Sequence, residues 1–123
     1  MGESDLLDML ATETDRRTPT VVAGVKKLTA PASGTAEDVE AVRVEAHGLK
    51  GAAKVVGQQR LGELAQQMEI ALVQCTASGT IEKDLAAEII GAAEAFQEGV
   101  KAAAKGKSEP KSVAKSLAAL SEG

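Results

Sequence analysis

Apolar residues recur at alternating steps of three and four along most of this chain. One segment has them at Val39, Val42, Ala46, Leu49, Ala53 and Val56. The next two segments have them at Leu61, Leu64, Met68, Ala71 and Cys75, and at Ile81, Leu85, Ile89, Ala92, Phe96 and Val100. This spacing places one apolar stripe on each helix and is typical of helices that pack in a bundle.

The start of the chain predicts a helix over residues 5–29 with Ser4 as its N-cap. Thr18-Pro19 interrupts this segment, because proline suits the first turn of a helix and lacks the N–H that a helix interior needs. We therefore expect either one interrupted helix or two short ones, with Thr18 capping the second part.

Local signals set the boundaries of the next three helices. Thr35–Asp38 resembles a capping box that opens the second helix, and Gly57 is its expected stop. The third helix is expected over about residues 58–76, a turn at Ser78-Gly79 follows, and the fourth spans about residues 81–104. The short connections favour antiparallel neighbours.

The pattern weakens after the fourth helix. Val113, Leu117 and Leu120 mark a weak fifth helix that is expected to pack loosely. The predicted fold class is all-α, an antiparallel up-down four-helix bundle over residues 1–105, with a C-terminal tail or short extra helix over residues 106–123.

Composition narrows the function classes. The formal net charge is −4, and the chain has one Phe and neither Trp nor Tyr, so a nucleic-acid interface is not expected. No apolar run approaches the roughly 20 residues of a membrane span. Cys75 is the single cysteine and cannot form an intrachain disulfide. The acidic N-terminus lacks the basic start of a signal peptide, and a cytoplasmic location is expected.

The single histidine has distinctive neighbours. At about 100° per residue, His47 falls beside the buried stripe of the second helix, on the same flank as Arg43, Lys50, Gly51 and Lys54. Neighbouring cations disfavour protonation of an exposed imidazole, and a neutral imidazole has a lone pair with which to act as a nucleophile. A lone exposed histidine is otherwise most often a plain surface residue.

Residues 46–57 read Ala-His-Gly-Leu-Lys-Gly-Ala-Ala-Lys-Val-Val-Gly. This run closely resembles the signature of histidine-phosphotransfer domains, and the match extends through Leu61, Leu64 and residues 66–69. The resemblance implies a helical bundle that carries a phosphoryl group on His47.

The resemblance also assigns roles to residues one turn from the histidine. Lys50 matches a lysine that steadies the phosphoryl oxygens, with a plain surface lysine as the alternative. Gly51 lies on the solvent side, where a missing side chain leaves room for a partner's active site. Glycine inside a helix costs about 1 kcal/mol relative to alanine, so its presence at position 51 calls for a reason. Close helix packing is the alternative reason.

The third helix offers a hydrogen-bond partner for the imidazole. Glu69 follows core residue Met68 as His47 follows Ala46, so its carboxylate is expected to accept the Nδ1–H bond and leave Nε2 as the nucleophile. The matching residue is glutamate in chemotaxis-type kinases and glutamine in several other members. A solvated glutamate is the alternative.

The remaining polar residues of this flank receive weaker assignments. Gln66 is a lesser candidate for the role given to Glu69, and Arg43 and Lys54 are interpreted as partner-facing charges.

The resemblance implies a phosphorelay intermediary that exchanges the phosphoryl group with a receiver-domain aspartate of a response regulator. A sensor or hybrid histidine kinase is the further expected partner, Mg²⁺ is expected on the receiver, and this chain is expected to act as a monomer without a cofactor.

Three other interpretations remain. The chain could be the excised substrate domain of a chemotaxis-type kinase, although it has no Gly-rich nucleotide loop of its own. It could also be a non-catalytic helical adaptor. A metal enzyme is least favoured, because one His and one Cys on different helices give no familiar ligand spacing.

Overall fold

The computed structural model of the chain describes residues 2–122, which form five helices. These are α1 (Glu3–Leu28), α2 (Ala36–Val55), α3 (Gln59–Gln74), α4 (Lys83–Ala104) and α5 (Lys111–Glu122). Helices α1 to α4 form a closed ring, in which each helix packs against the helices before and after it and α1 packs against α4. The predicted all-α bundle with a short C-terminal helix is confirmed. Within residues 2–122, no helix is long and apolar enough to cross a bilayer.

The predicted apolar stripes form the core of the bundle. The largest fully buried side chains include Leu10 from α1, Leu49 from α2, Leu64 and Met68 from α3, and Phe96 from α4. All four helices of the ring thus contribute to one hydrophobic core, whose burial supplies the main driving force for folding.

Helix α1 differs from its prediction because it runs through Pro19 without a break. Thr18 does not cap a second segment. It is buried in the helix interior, and its Oγ1 donates to the carbonyl of Thr14 at 2.7 Å. Pro19 lies on the exposed face, so the carbonyl that loses its N–H partner faces solvent and can be hydrated. The predicted cap at Ser4 is also wrong, since the helix begins at Glu3 with Gly2 as its N-cap.

The boundaries of α2 follow the predicted signals. The backbone N–H of Asp38 donates to Thr35 Oγ1 at 3.2 Å, and the Thr35 N–H donates to Asp38 Oδ2 at 2.8 Å. This reciprocal pair is the predicted capping box. Gly57 has a φ of +81° just after the helix, a conformation that favours glycine.

Ile81 was expected to open the fourth helix, but it lies before α4 in an isolated parallel bridge with Thr29. Its N–H donates to the carbonyl of Leu28, and its own carbonyl accepts from Ala30, both at 2.8 Å. Gly34 also donates to the carbonyl of Gly79 at 2.7 Å. The α1–α2 and α3–α4 connections are thereby joined at one end of the bundle.

Helix α5 packs against α3 and α4, whereas a loose helix was expected. Val113 is fully buried. A Cβ on Gly99 of α4 would lie 2.6 Å from Leu61 Cδ2 and 3.3 Å from Val113 Cγ2. Because the glycine has no side chain, α3 and α5 both approach α4 closely at this point.

Candidate functional site

His47 lies on α2 next to Ala46, which is fully buried. Its own side chain is 60% exposed. One residue further along a helix turns the side chain by about 100°, which moves it from the core stripe to the helix flank. The bundle core therefore fixes the backbone under the imidazole while the ring itself faces solvent.

Glu69 reaches the imidazole from α3. It follows the fully buried Met68, and its side chain is only 13% exposed. Its Oε2 atom lies 3.0 Å from Nδ1 of His47. Glu69 is therefore a partly buried member of the α2–α3 interface, in contact with the ring, and the alternative of a solvated glutamate does not describe it.

Two cations of α2 also converge on the Glu69 carboxylate. Lys50 Nζ donates to Oε1 at 2.8 Å, and Arg43 Nη1 donates to Oε2 at 2.5 Å. The sequence placed both cations around the histidine, whereas the structure pairs them with the carboxylate beside it. Arg43, interpreted above as a partner-facing charge, is thus part of the α2–α3 contact.

The three donors determine the ionisation of Glu69. Burial by itself would raise the pKa of this carboxyl, but the hydrogen bonds from Lys50, His47 and Arg43 and the nearby positive charge of Lys50 outweigh burial and hold the pKa below its usual value. An ionised carboxylate only accepts hydrogen bonds, so Nδ1 of a neutral His47 must carry the proton in this contact. The lone pair then resides on Nε2.

The structure places Gly51 on the exposed side of α2, and a Cβ built there would meet nothing within 4 Å. The alternative of close helix packing has no support at this position. The helix surface at Gly51 is therefore open to a partner, one turn from the imidazole.

The other two predicted residues lie at the edge of the site. Lys54 is exposed, with its Cγ atom 3.2 Å from where a Cβ on Gly62 of α3 would lie, so its stem covers the α2–α3 contact. Gln66 is exposed on α3, one turn before Glu69, and makes no side-chain hydrogen bond with the residues described. Neither side chain joins the Glu69 cluster.

The sequence analysis assigned no role to Gly48, but the structure shows why a glycine is present at this position. A Cβ on Gly48 would lie 2.4 Å from Cζ of Arg17 in α1. The Arg17 guanidinium donates to Glu45 Oε1 at 3.1 Å and to Glu13 Oε2 at 3.3 Å. A glycine inside a helix was the available signal, since its cost of about 1 kcal/mol calls for a packing reason.

Exposed hydrophobic side chains occur on the helices that form the candidate site. Within residues 2–122, five large hydrophobic residues are exposed, and four of them lie on α2 and α3, the helices of His47 and Glu69: Val44, Val55, Ile70 and Val73. On α2, Val44, Gly51 and Val55 share the outward face because they are seven and four residues apart. Val44, Gly51 and Val55 therefore form an apolar strip on α2, and the imidazole lies beside it.

No group of three or more His, Cys, Asp or Glu side chains in the described part of the chain is arranged to hold a metal ion.

A bundle with an exposed imidazole, hydrogen-bonded through one ring nitrogen and open at the other, defines a protein that is suited to nucleophilic chemistry on histidine. The Hpt domain family model matches residues 5–105. The chain belongs to this family of histidine-phosphotransfer domains, and membership supports a role in histidine phosphotransfer within a phosphorelay. Such domains typically interact with response regulators and histidine kinases. A search among curated proteins found no significant match.

Proposed function

We propose that this chain is a phosphorelay intermediary that accepts a phosphoryl group on Nε2 of His47 and exchanges it with a receiver-domain aspartate. The observation that carries the proposal is the contact between Nδ1 of His47 and the ionised Glu69. This contact leaves the lone pair on the nitrogen that faces solvent.

The transfer step needs little chemistry from this chain. Nε2 attacks the phosphorus of the aspartyl phosphate in line with the leaving carboxylate, so a P–N bond forms as the P–O bond breaks. The ring becomes positively charged, with the proton still on Nδ1, and the negative Glu69 stabilises this charge. The return of the phosphoryl group to a second aspartate reverses the same bonds.

Lys50 is the cation proposed to steady the transferred group. Its ammonium lies 2.8 Å from Glu69 Oε1, one helical turn from the histidine. A flexible lysine can reach from the carboxylate to phosphoryl oxygens, and such charge-assisted hydrogen bonds are stronger than neutral ones. The receiver would supply Mg²⁺, and this chain would act as a monomer without a cofactor of its own.

The apolar strip on α2 is the proposed docking surface for the receiver. Val44 and Val55 flank the open position at Gly51 on the outward face of α2. Apolar area removed from water contributes about 25 cal/mol per Å² and would hold the receiver's active site against the imidazole. Lys54 and Gln66 lie at its edge.

A second candidate function is that of the substrate domain of a chemotaxis-type kinase. The presence of glutamate at position 69 favours it, since the sequence resembles those kinases at this position. The two functions differ in the donor that labels His47: a phosphorylated receiver in the first, and a kinase with ATP in the second. Assaying both donors separately distinguishes them.

The test is phosphorylation of the whole chain by candidate receivers and kinases, with detection of acid-labile phosphate. We expect His47→Gln to abolish labelling while thermal unfolding stays unchanged, because the ring is exposed. Lys101→Gln, on the exposed side of α4, should retain full labelling. Labelling of the His47→Gln variant, or no labelling of the wild type by any donor, would contradict the proposal and favour a non-catalytic adaptor.

A further inference from the structure

Arg43 joins two carboxylates on different helices. Its Nε and Nη2 atoms donate to the two oxygens of Glu40, one turn earlier on α2, at 2.7 and 2.6 Å. Its Nη1 atom donates to Oε2 of Glu69 on α3 at 2.5 Å. The fork with Glu40 restrains the guanidinium, because a bidentate pair fixes both the distance and the plane.

The oxygen that Arg43 contacts is the same oxygen that faces the imidazole. Glu69 Oε2 lies 2.5 Å from Arg43 Nη1 and 3.0 Å from His47 Nδ1, whereas Lys50 contacts Oε1. A carboxylate held only through Oε1 can rotate about its terminal torsion, which is broad and poorly restrained by itself. Lys50 alone therefore does not fix the position of Oε2.

The charges of this cluster balance only when Arg43 is present. Glu40 and Glu69 contribute two negative charges, and Arg43 and Lys50 contribute two positive charges. Without Arg43, the cluster would carry a net negative charge beside the nitrogen that must receive a phosphoryl group, itself close to a dianion at neutral pH. Repulsion between the uncompensated carboxylate charge and the phosphoryl group would disfavour the phosphorylated state.

We propose that Arg43 is a positioning residue, held by Glu40, that locks Oε2 of Glu69 against Nδ1 of His47 and thereby keeps the lone pair on Nε2. Its effect on phosphotransfer rests on the proposed function, whereas its effect on the imidazole tautomer does not.

The experiment measures the tautomer of the single histidine in the whole chain by ¹⁵N NMR, above the pH at which the ring is protonated. We expect the wild type to populate mainly the Nδ1–H form. Arg43→Gln should increase the Nε2–H form several-fold, because Oε2 is then free to rotate away. Arg43→Lys should restore part of the Nδ1–H population, since an ammonium can still contact the carboxylate.

A matched control is Arg60→Gln, which removes an arginine paired with Glu109 elsewhere on the surface. This variant should leave the tautomer ratio of His47 unchanged. Thermal unfolding of Arg60→Gln should remain near that of the wild type, because its ion pair is exposed. Arg43→Gln should lose about 1 kcal/mol, because its pair with Glu69 is partly buried, and the folded protein still gives the tautomer signal.

The outcomes separate the two claims. An unchanged tautomer ratio in Arg43→Gln, or an equal shift in Arg60→Gln, would overturn the positioning role even if His47 is phosphorylated normally. A shift confined to Arg43→Gln would support it. If that shift occurred while no donor labelled the wild type, the positioning role would stand and the proposed phosphorelay function would fail.

Discussion

Helix α2 has two charged flanks that look alike in burial and differ in chemistry. On the α3 flank, Arg43 contacts Glu69, with side chains 23% and 13% exposed. On the α1 flank, Arg17 contacts Glu45, with both side chains 19% exposed. Each flank therefore has a partly buried arginine–glutamate pair that joins α2 to a neighbouring helix.

The difference lies in the residue at the outer edge of each pair. The α3 flank has His47, whose ring is exposed and hydrogen-bonded to the carboxylate, whereas the α1 flank has Gly48, which only admits the Arg17 guanidinium. An interhelical ion pair is thus a structural feature on both sides. Such an ion pair becomes part of a reactive site only on the α3 flank, where its carboxylate also accepts a hydrogen bond from the exposed imidazole.

The largest expected effect on the flank with His47 is a loss of receiver affinity when the open position at Gly51 is filled. Gly51→Leu would place a side chain where nothing lies within 4 Å, in the proposed docking surface. A misfit of about 2 kcal/mol in the complex corresponds to a roughly thirtyfold loss of apparent affinity for the receiver. The measurement is the transfer rate against receiver concentration.

Gly91→Leu is the control for that experiment, because a Cβ at Gly91 of α4 also meets nothing within 4 Å and lies away from His47. It should leave transfer unchanged. Equal transfer by the two leucine variants would show that the receiver does not dock over Gly51.

A smaller effect on transfer rate is expected from removing a cation on the α3 flank, and no effect on that rate from removing one on the α1 flank. Lys50→Ala removes a cation from the proposed phosphoryl site and should slow transfer roughly tenfold, since a charge-assisted hydrogen bond contributes about 1.5 kcal/mol. Arg17→Gln should instead lower the free energy of unfolding by about 1 kcal/mol with no change in transfer rate. Single-turnover transfer and urea unfolding of both variants provide the measurements, and a slowed Arg17→Gln would mean that the α1 flank also takes part.

The smallest effect concerns the two glycines next to these flanks. Gly51→Ala should raise the free energy of unfolding by about 1 kcal/mol, because the position is open and alanine favours helix. Gly48→Ala should change it by about zero, since the same gain is offset by displacement of Arg17 from 2.4 Å away. Chemical unfolding checks both, and equal stabilisation would show that Arg17 moves aside without loss.

Local sequence signals predicted much of the fold. The capping box of Thr35 and Asp38 and the stop at Gly57 depend on hydrogen bonds and backbone angles within a few residues, so the sequence was sufficient for them. The break predicted at Pro19 does not occur, because the effect of a proline on a helix depends on its exposure. On the solvent face the unpaired carbonyl can be hydrated, and the length of α1 follows from packing against α2 and α4.

Some features of the candidate site were likewise predictable from the sequence, and others were not. The position of His47 beside the core stripe follows from the helical period, and the motif of residues 46–57 singled it out. The Glu69 contact was anticipated because two antiparallel helices with buried Ala46 and Met68 bring the following residues together. The contact between Arg43 and Glu69 was not predicted, since spacing along one helix does not show which carboxylate a long flexible side chain will contact across an interface.

The helices, the core stripes and the single exposed imidazole are predictable from the amino-acid sequence alone, because they depend on local hydrogen bonding and on a period of 3.6 residues. Three features of the site are not predictable in this way: Arg43, His47 and Lys50 share one carboxylate, the Arg17 guanidinium covers Gly48, and the surface at Gly51 is open. Those outcomes depend on the register and distance between helices, which are set by the packing of whole side chains.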